Sequence, residues 1–228
     1  MKYWFRAALV SALALVPMSA AAQTAAPAQA KTSTPSMNLW YVGANTGIAV
    51  VEHVGGVFGA EAGARVWKNL DLVGELTWMQ DVVTRRTLDN ASKVANYLQT
   101  TQGKPASSDV EVPAFYLGAG ARWVFEQTSL GGFKPYLIAT LGGTHTDIKS
   151  TFTLGGTDVT NSLPQYGVTL GSDLAGTSNN FTISSGVGVV RAFSGSWYAD
   201  AGVRLVSIGT QDQWTNVTRL VVGGGYKF

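Results

Sequence analysis

Two histidines, His53 and His145, are the only side chains of this sequence suited to act as bases at neutral pH, and Asp147 follows His145 at a spacing of two. On a strand that spacing puts both residues on one face, so a carboxylate orienting an imidazole is the one general-base arrangement the chain offers. No nucleophile elbow accompanies it, and the plainer alternative is a polar pair at the loop end of a strand. Two distant histidines fall below any metal-ligand pattern, and cysteine is absent. The Gly-x-Gly pieces open no helix and so form no phosphate loop. No catalytic residue, cofactor site or metal site is therefore expected. With a net charge of +2 and no basic run, nucleic acid is not an expected partner either.

The other chemically active residues are charges set singly into apolar, alternating segments: Glu61, Arg65, Asp71, Glu75, Arg122, Asp200, Arg204 and Arg219. Acids and bases are equal in number. In "PAFYLGAGARWVF", Phe115, Leu117, Ala119, Ala121, Trp123 and Phe125 share one face, and Tyr116, Gly118, Gly120 and Arg122 share the other. The remaining charged segments repeat the pattern, with charges and glycines on one face and large apolar residues opposite.

Eight strands are needed to carry these residues, over about 39–51, 56–67, 70–82, 111–125, 134–147, 179–193, 196–209 and 215–228. Their connections alternate. Every second one is short, and the two very long ones, 83–110 and 148–178, fall at the opposite end of an up-and-down meander. Charged residues make up only 13% of the chain, which suits a sheet poor in solvated surface.

A soluble barrel would turn the apolar face inward around a ligand, whereas a membrane barrel would turn it outward. The aromatics favour the membrane. Trp40, Trp67, Trp123 and Trp197, with Tyr41, Phe125, Tyr136, Phe193, Tyr226 and Phe228, lie at the short-turn ends of their strands, the position of an interfacial girdle. Trp78, Phe181 and Trp214 are candidates for the opposite girdle. The expected fold is all-β: an eight-stranded antiparallel up-and-down transmembrane β-barrel over residues 38–228.

Residues 1–22 read as a secretory signal peptide cut after Ala22, since the apolar stretch from Ala7 to Val16 is too short to span a membrane. Residues 23–37 read as a disordered lead-in rich in Ala, Pro, Ser and Thr. On these features the chain resembles the small eight-stranded outer-membrane barrels of the OmpA/OmpX type. Its closing "VVGGGYKF", with Leu220, Val222, Tyr226 and Phe228 on one face, looks like the C-terminal signal read by the barrel-assembly machinery of the outer membrane. The resemblance implies the cell outer membrane of a Gram-negative bacterium, lipid and that machinery as partners, and no appended peptidoglycan-binding domain. It implies no activity, because the fold hosts adhesins, structural proteins, small pores and lipid-modifying enzymes.

An eight-stranded lumen is just wide enough for side chains to fill. The eight charges are expected to pair there and close it; a narrow pore lined by the same groups, widened by Gly63, Gly118, Gly120, Gly186, Gly188 and Gly223, is the alternative. The long loops are expected to carry recognition of a host or surface ligand, or to act only as a shield. Leu88, Val94, Tyr97 and Leu98 suggest a short surface helix in the first, and Phe152 and Tyr166 are candidate anchors in the second.

Overall fold

The computed structural model describes residues 40–129, 131–193, 195–210 and 214–228; the expected signal peptide and lead-in lie outside them. Among the described residues eight strands close a ring: β1 (Trp40–Val50), β2 (Val54–Trp67), β3 (Leu70–Met79), β5 (Ala114–Val124), β6 (Lys134–Leu154), β8 (Gly176–Ala192), β9 (Trp197–Gly209) and β10 (Trp214–Lys227). Each pairs antiparallel with its chain neighbour, and β10 returns to β1 from Tyr41↔Lys227 to Val50↔Thr218. Closure leaves the ring without a free edge, as spanning a bilayer requires. Two further short strands, β4 (Ala106–Glu111) and β7 (Thr157–Asp158), pair with β6 beyond the ring.

The outward face is the apolar one. Val42, Leu72, Leu76, Leu117, Leu137, Leu141, Val187, Val203 and Val222 are all exposed. From Trp123, which faces Leu70, up to Trp78 the strand rises about 3.3 Å per residue; at a tilt of about 40° that covers roughly 20 Å of membrane. Several expected strand limits shift. Pro113 cannot donate to the ladder, and the strand expected from residue 111 divides there into β4 and β5. Strand β3 stops at Met79 rather than 82. Strand β6 runs on to Leu154 and β8 starts at Gly176, the extension of strands five and six beyond the membrane that the Thr and Val content of 148–178 allows.

The two long connections fold into a cap on the overhang of β6. Helix α1 (Arg85–Gln102) is much longer than expected. Its first turn is capped by Thr84, whose hydroxyl accepts from the Thr87 N–H, and it ends at Gly103, where a φ of 65° favours glycine. Ala91, Ala95 and Leu98, spaced at one helical face, bury against β4. Phe152, Leu154 and Leu163 of the second connection complete this core, which continues down into Val57, Met79, Val206, Ile208 and Val217 at the long-loop end of the lumen. Tyr166 packs against it as a partly buried neighbour. Burial of Leu98 and Phe152 stabilises the cap by about 2 kcal/mol each.

Candidate functional site

The alternation that turns leucines outward aims one charge after another at the barrel axis, and strand stagger brings them into a single chain. Arg65 on β2 pairs with Asp71 on β3 and, at 3.2 Å, with Glu126 in the β5–β6 turn. Arg122 on β5 donates to Asp71 at 3.1 and 3.2 Å and to Glu61 on β2 at 2.8 Å. Arg204 on β9 continues to Glu61 at 3.0 Å and to Glu75 on β3 at 3.1 Å. Arg219 on β10 closes the series on Glu75 at 2.8 Å.

The order is therefore Arg65, Asp71, Arg122, Glu61, Arg204, Glu75, Arg219, with signs alternating throughout. Hydroxyls fill the remaining acceptor positions of Glu75: Thr77 donates at 3.2 Å and Thr140 at 3.4 Å. Arg204 and Arg219 are 2% and 1% exposed, so water does not reach them, and each needs its carboxylate to offset desolvation. The guanidinium of Arg122 also lies 4.3 Å from the Tyr41 ring centre.

Asp200 departs from its expected role. It faces the lumen, but its Oδ2 has no hydrogen-bond partner and no arginine reaches it at salt-bridge distance among the described residues. It adjoins a void of about 10 Å³, room for about one water.

The lumen glycines do not hold space open. A Cβ built on Gly63 would lie 2.3 Å from the Tyr41 ring, one on Gly118 2.0 Å from Tyr116 Oη, and one on Gly188 2.4 Å from Tyr136. Tyrosine rings from the same or neighbouring strands occupy the room that glycine leaves. Two of the aromatics expected in the girdle thus belong to the interior: Tyr41 is 5% and Tyr136 1% exposed. Trp40, Trp67, Trp123 and Trp197 do point outward at the short-turn end, where Trp197, Tyr226 and Phe228 make successive edge contacts. Leu220 and Val222 share that outward face. At the other end Phe58 stacks on Trp78, ring centres 5.9 Å apart, with Phe181 and Trp214 also exposed.

His145 and Asp147 are not brought together. Nδ1 of the imidazole lies 2.8 Å from Asn179 Oδ1, and the carboxylate pairs with Lys149 at 3.1 Å. The histidine that does approach a carboxylate is His53, 3.6 Å from Asp81, which was not foreseen. The Asp81 carboxylate itself accepts from the N–H groups of Val83 and Val112, pinning the two legs of the first long connection. Among the described residues no cluster of three metal-ligating side chains occurs.

Outside the membrane, burial pushes the Glu126 carboxyl up, while Lys134 and Arg65 pull it down further, and the net position is below its ordinary value. Asp158, in the cap, is lowered by the hydroxyl and N–H of Thr160.

No family model matches the chain, and no curated protein does. Among solved structures it is similar to Neisserial surface protein A, at 20% identity over 83% of this chain and 97% of that one, with a TM-score of 0.49. Ail, the attachment invasion locus protein of Yersinia pestis, gives 12% identity, 83% and 97% coverage, and 0.44. The N-terminal β-barrel domain of Pseudomonas aeruginosa OprF gives 16%, 82% and 97%, and 0.44. The barrel described here stands on the closed ring and the outward apolar band.

Proposed function

We propose that this small eight-stranded barrel of the OmpA/OmpX type is an integral outer-membrane protein with a structural or surface-interaction role, its lumen closed to solutes and its cap presented for recognition. The observation that carries this reading is the unbroken alternation of charges from half-buried Arg65 to buried Arg219, in which Asp71, Glu61 and Glu75 each bridge two arginines. A conducting pore needs hydrated charges, whereas these are desolvated and spent on one another. The apolar core beneath the cap supports the same reading, since it blocks the other end of the lumen.

In this role Trp40, Trp67, Trp123 and Trp197 contact lipid headgroups, and Leu220, Val222, Tyr226 and Phe228 form the strand that the assembly machinery reads. The barrel is exported by its N-terminal segment. The role involves no catalysis, in keeping with a His145 and Asp147 that each engage other partners.

Single-channel recording of the refolded protein in a planar bilayer, beside Arg122→Ala, tests it. The native protein gives no steady conductance and the variant leaks, because Asp71 and Glu61 lose their common partner. Stable, reproducible openings of the native protein would sink the closed lumen and make a small solute channel the leading function.

A further inference from the structure

Between the first turn of α1 and the barrel rim lies a cavity of about 280 Å³. We propose that it is a binding site for one neutral sugar residue of hexose size. The site goes beyond the closed-lumen role and stands whether or not the lumen conducts.

Its floor is apolar: Val82, Val112, Ile148 and Ile208. Hydroxyls and one amide line its walls, from Thr87 on the helix, Thr146, Thr177, Ser178 and Asn180 on the β6–β8 rim, and Thr215 on β10. Arg86 and Asp173 contribute opposite charges, so the cavity has no net sign with which to select an anion or a cation.

Two polar side chains that line it have hydrogen-bonding capacity to spare. Thr215 is 8% exposed, and its hydroxyl has no hydrogen-bond partner among the described residues. Asn180 is 9% exposed, and its amide nitrogen reaches only Thr146 Oγ1, at 3.5 Å. Buried polar groups ordinarily have partners. An occupant that both donates and accepts would complete them.

At about 280 Å³ the cavity lies just under the range of pockets that take drug-sized ligands, which suits one small polar ring. A pyranose also matches the two kinds of wall, with its hydroxyl edge toward the threonines and its C–H face on the valines and isoleucines. Such a residue could be free or terminal on a surface glycan.

Saturation-transfer NMR and equilibrium dialysis on the full refolded chain, in a detergent without a sugar headgroup, test this with glucose, galactose, mannose and N-acetylglucosamine. At least one is expected to bind. Thr215→Val should weaken it at least about tenfold, and Thr177→Trp, at an exposed position on the β6–β8 rim, should abolish it. The heat-dependent gel shift of the barrel verifies that each variant is folded. No binding by any of the four sugars overturns the proposal, as does binding undiminished in both variants, or occupancy by decanoate or sulfate where sugars fail. Galactose alone binding, with the same sensitivity to both variants, would uphold it and narrow the ligand.

Discussion

Removing Glu75 should cost more than removing any other lumen acid, and removing it together with Arg219 should cost less than either single change suggests. Glu75 is 2% exposed, accepts from Arg219 at 2.8 Å and from two threonine hydroxyls, and forms an ion pair with Arg204 at 3.1 Å. In Glu75→Leu, Arg204 keeps Glu61, but among the described residues Arg219 retains only the Ser184 hydroxyl at 3.3 Å and the Tyr116 ring at 5.8 Å, and no carboxylate. A buried charge stranded in this way costs about 3–5 kcal/mol. Arg219→Leu leaves Glu75 with Arg204, so its cost falls at the low end, about 3 kcal/mol. Independent effects would sum to roughly 7 kcal/mol. The double variant, however, removes one charge of each sign and replaces both with apolar bulk, a change that is often near neutral, so it should lie within about 2 kcal/mol of the native protein. Equilibrium urea unfolding in phospholipid vesicles, followed by tryptophan fluorescence and compared at equal m-value, measures all four corners of the cycle. Single costs that add to the double within about 0.5 kcal/mol would refute the coupling, and with it the account of the lumen as one connected chain.

Leu98→Ala should destabilise the cap by about 2–4 kcal/mol, because Leu98 is fully buried; protease should then cleave the cap faster while the gel shift of the barrel persists. Gly120→Ala should depress refolding yield sharply, since the new Cβ would stand 1.9 Å from the backbone oxygen of Ala139 and the β5–β6 pairing must open to admit it. Glu126 is held below its ordinary value, so its contribution is fully present above the unfolded carboxyl value of about 4.3 and is lost as pH falls through the lower folded one. Glu126→Gln should therefore be the less stable form at pH 7, and the gap between it and the native protein should close as the pH falls below about 4.

The ring and its polarity were legible because a strand has a period of two: the charged segments β2, β3, β5, β9 and β10 put their charges opposite their large apolar residues, in one consistent phase. The inward direction of Tyr41 is also legible, since it shares its parity with Gly43, but an aromatic ring at a strand end suits a girdle as well as an interior, and only the closed ring separates the two. Which acid meets which arginine was not legible, because Arg204 and Glu61 are 143 positions apart and meet only through the stagger of the closed barrel. The same holds for Asp200, whose charge marks the correct face but whose lack of an arginine at salt-bridge distance among the described residues depends on where Arg204 and Arg122 are drawn. In the cap, Thr84, Leu88, Ala91, Ala95, Leu98 and Gly103 spell a capped amphipathic helix. Its full length was obscured by a polar setting in which no helix would stand alone; packing on β4 supplies the stability.

Four of the lumen bridges join strands that are not neighbours in the ring: Glu61 on β2 reaches β5 through Arg122 and β9 through Arg204, and Glu75 on β3 reaches β9 and β10. Hydrogen bonds around the ring fix its circumference but not its outline, since a closed ribbon of fixed length can be round or flattened. Cross-members between opposite walls remove that freedom, as spokes true a wheel. The charges thus set the shape of the cylinder against the lateral pressure of the bilayer, and the rim they keep circular is the footing on which the cap is built.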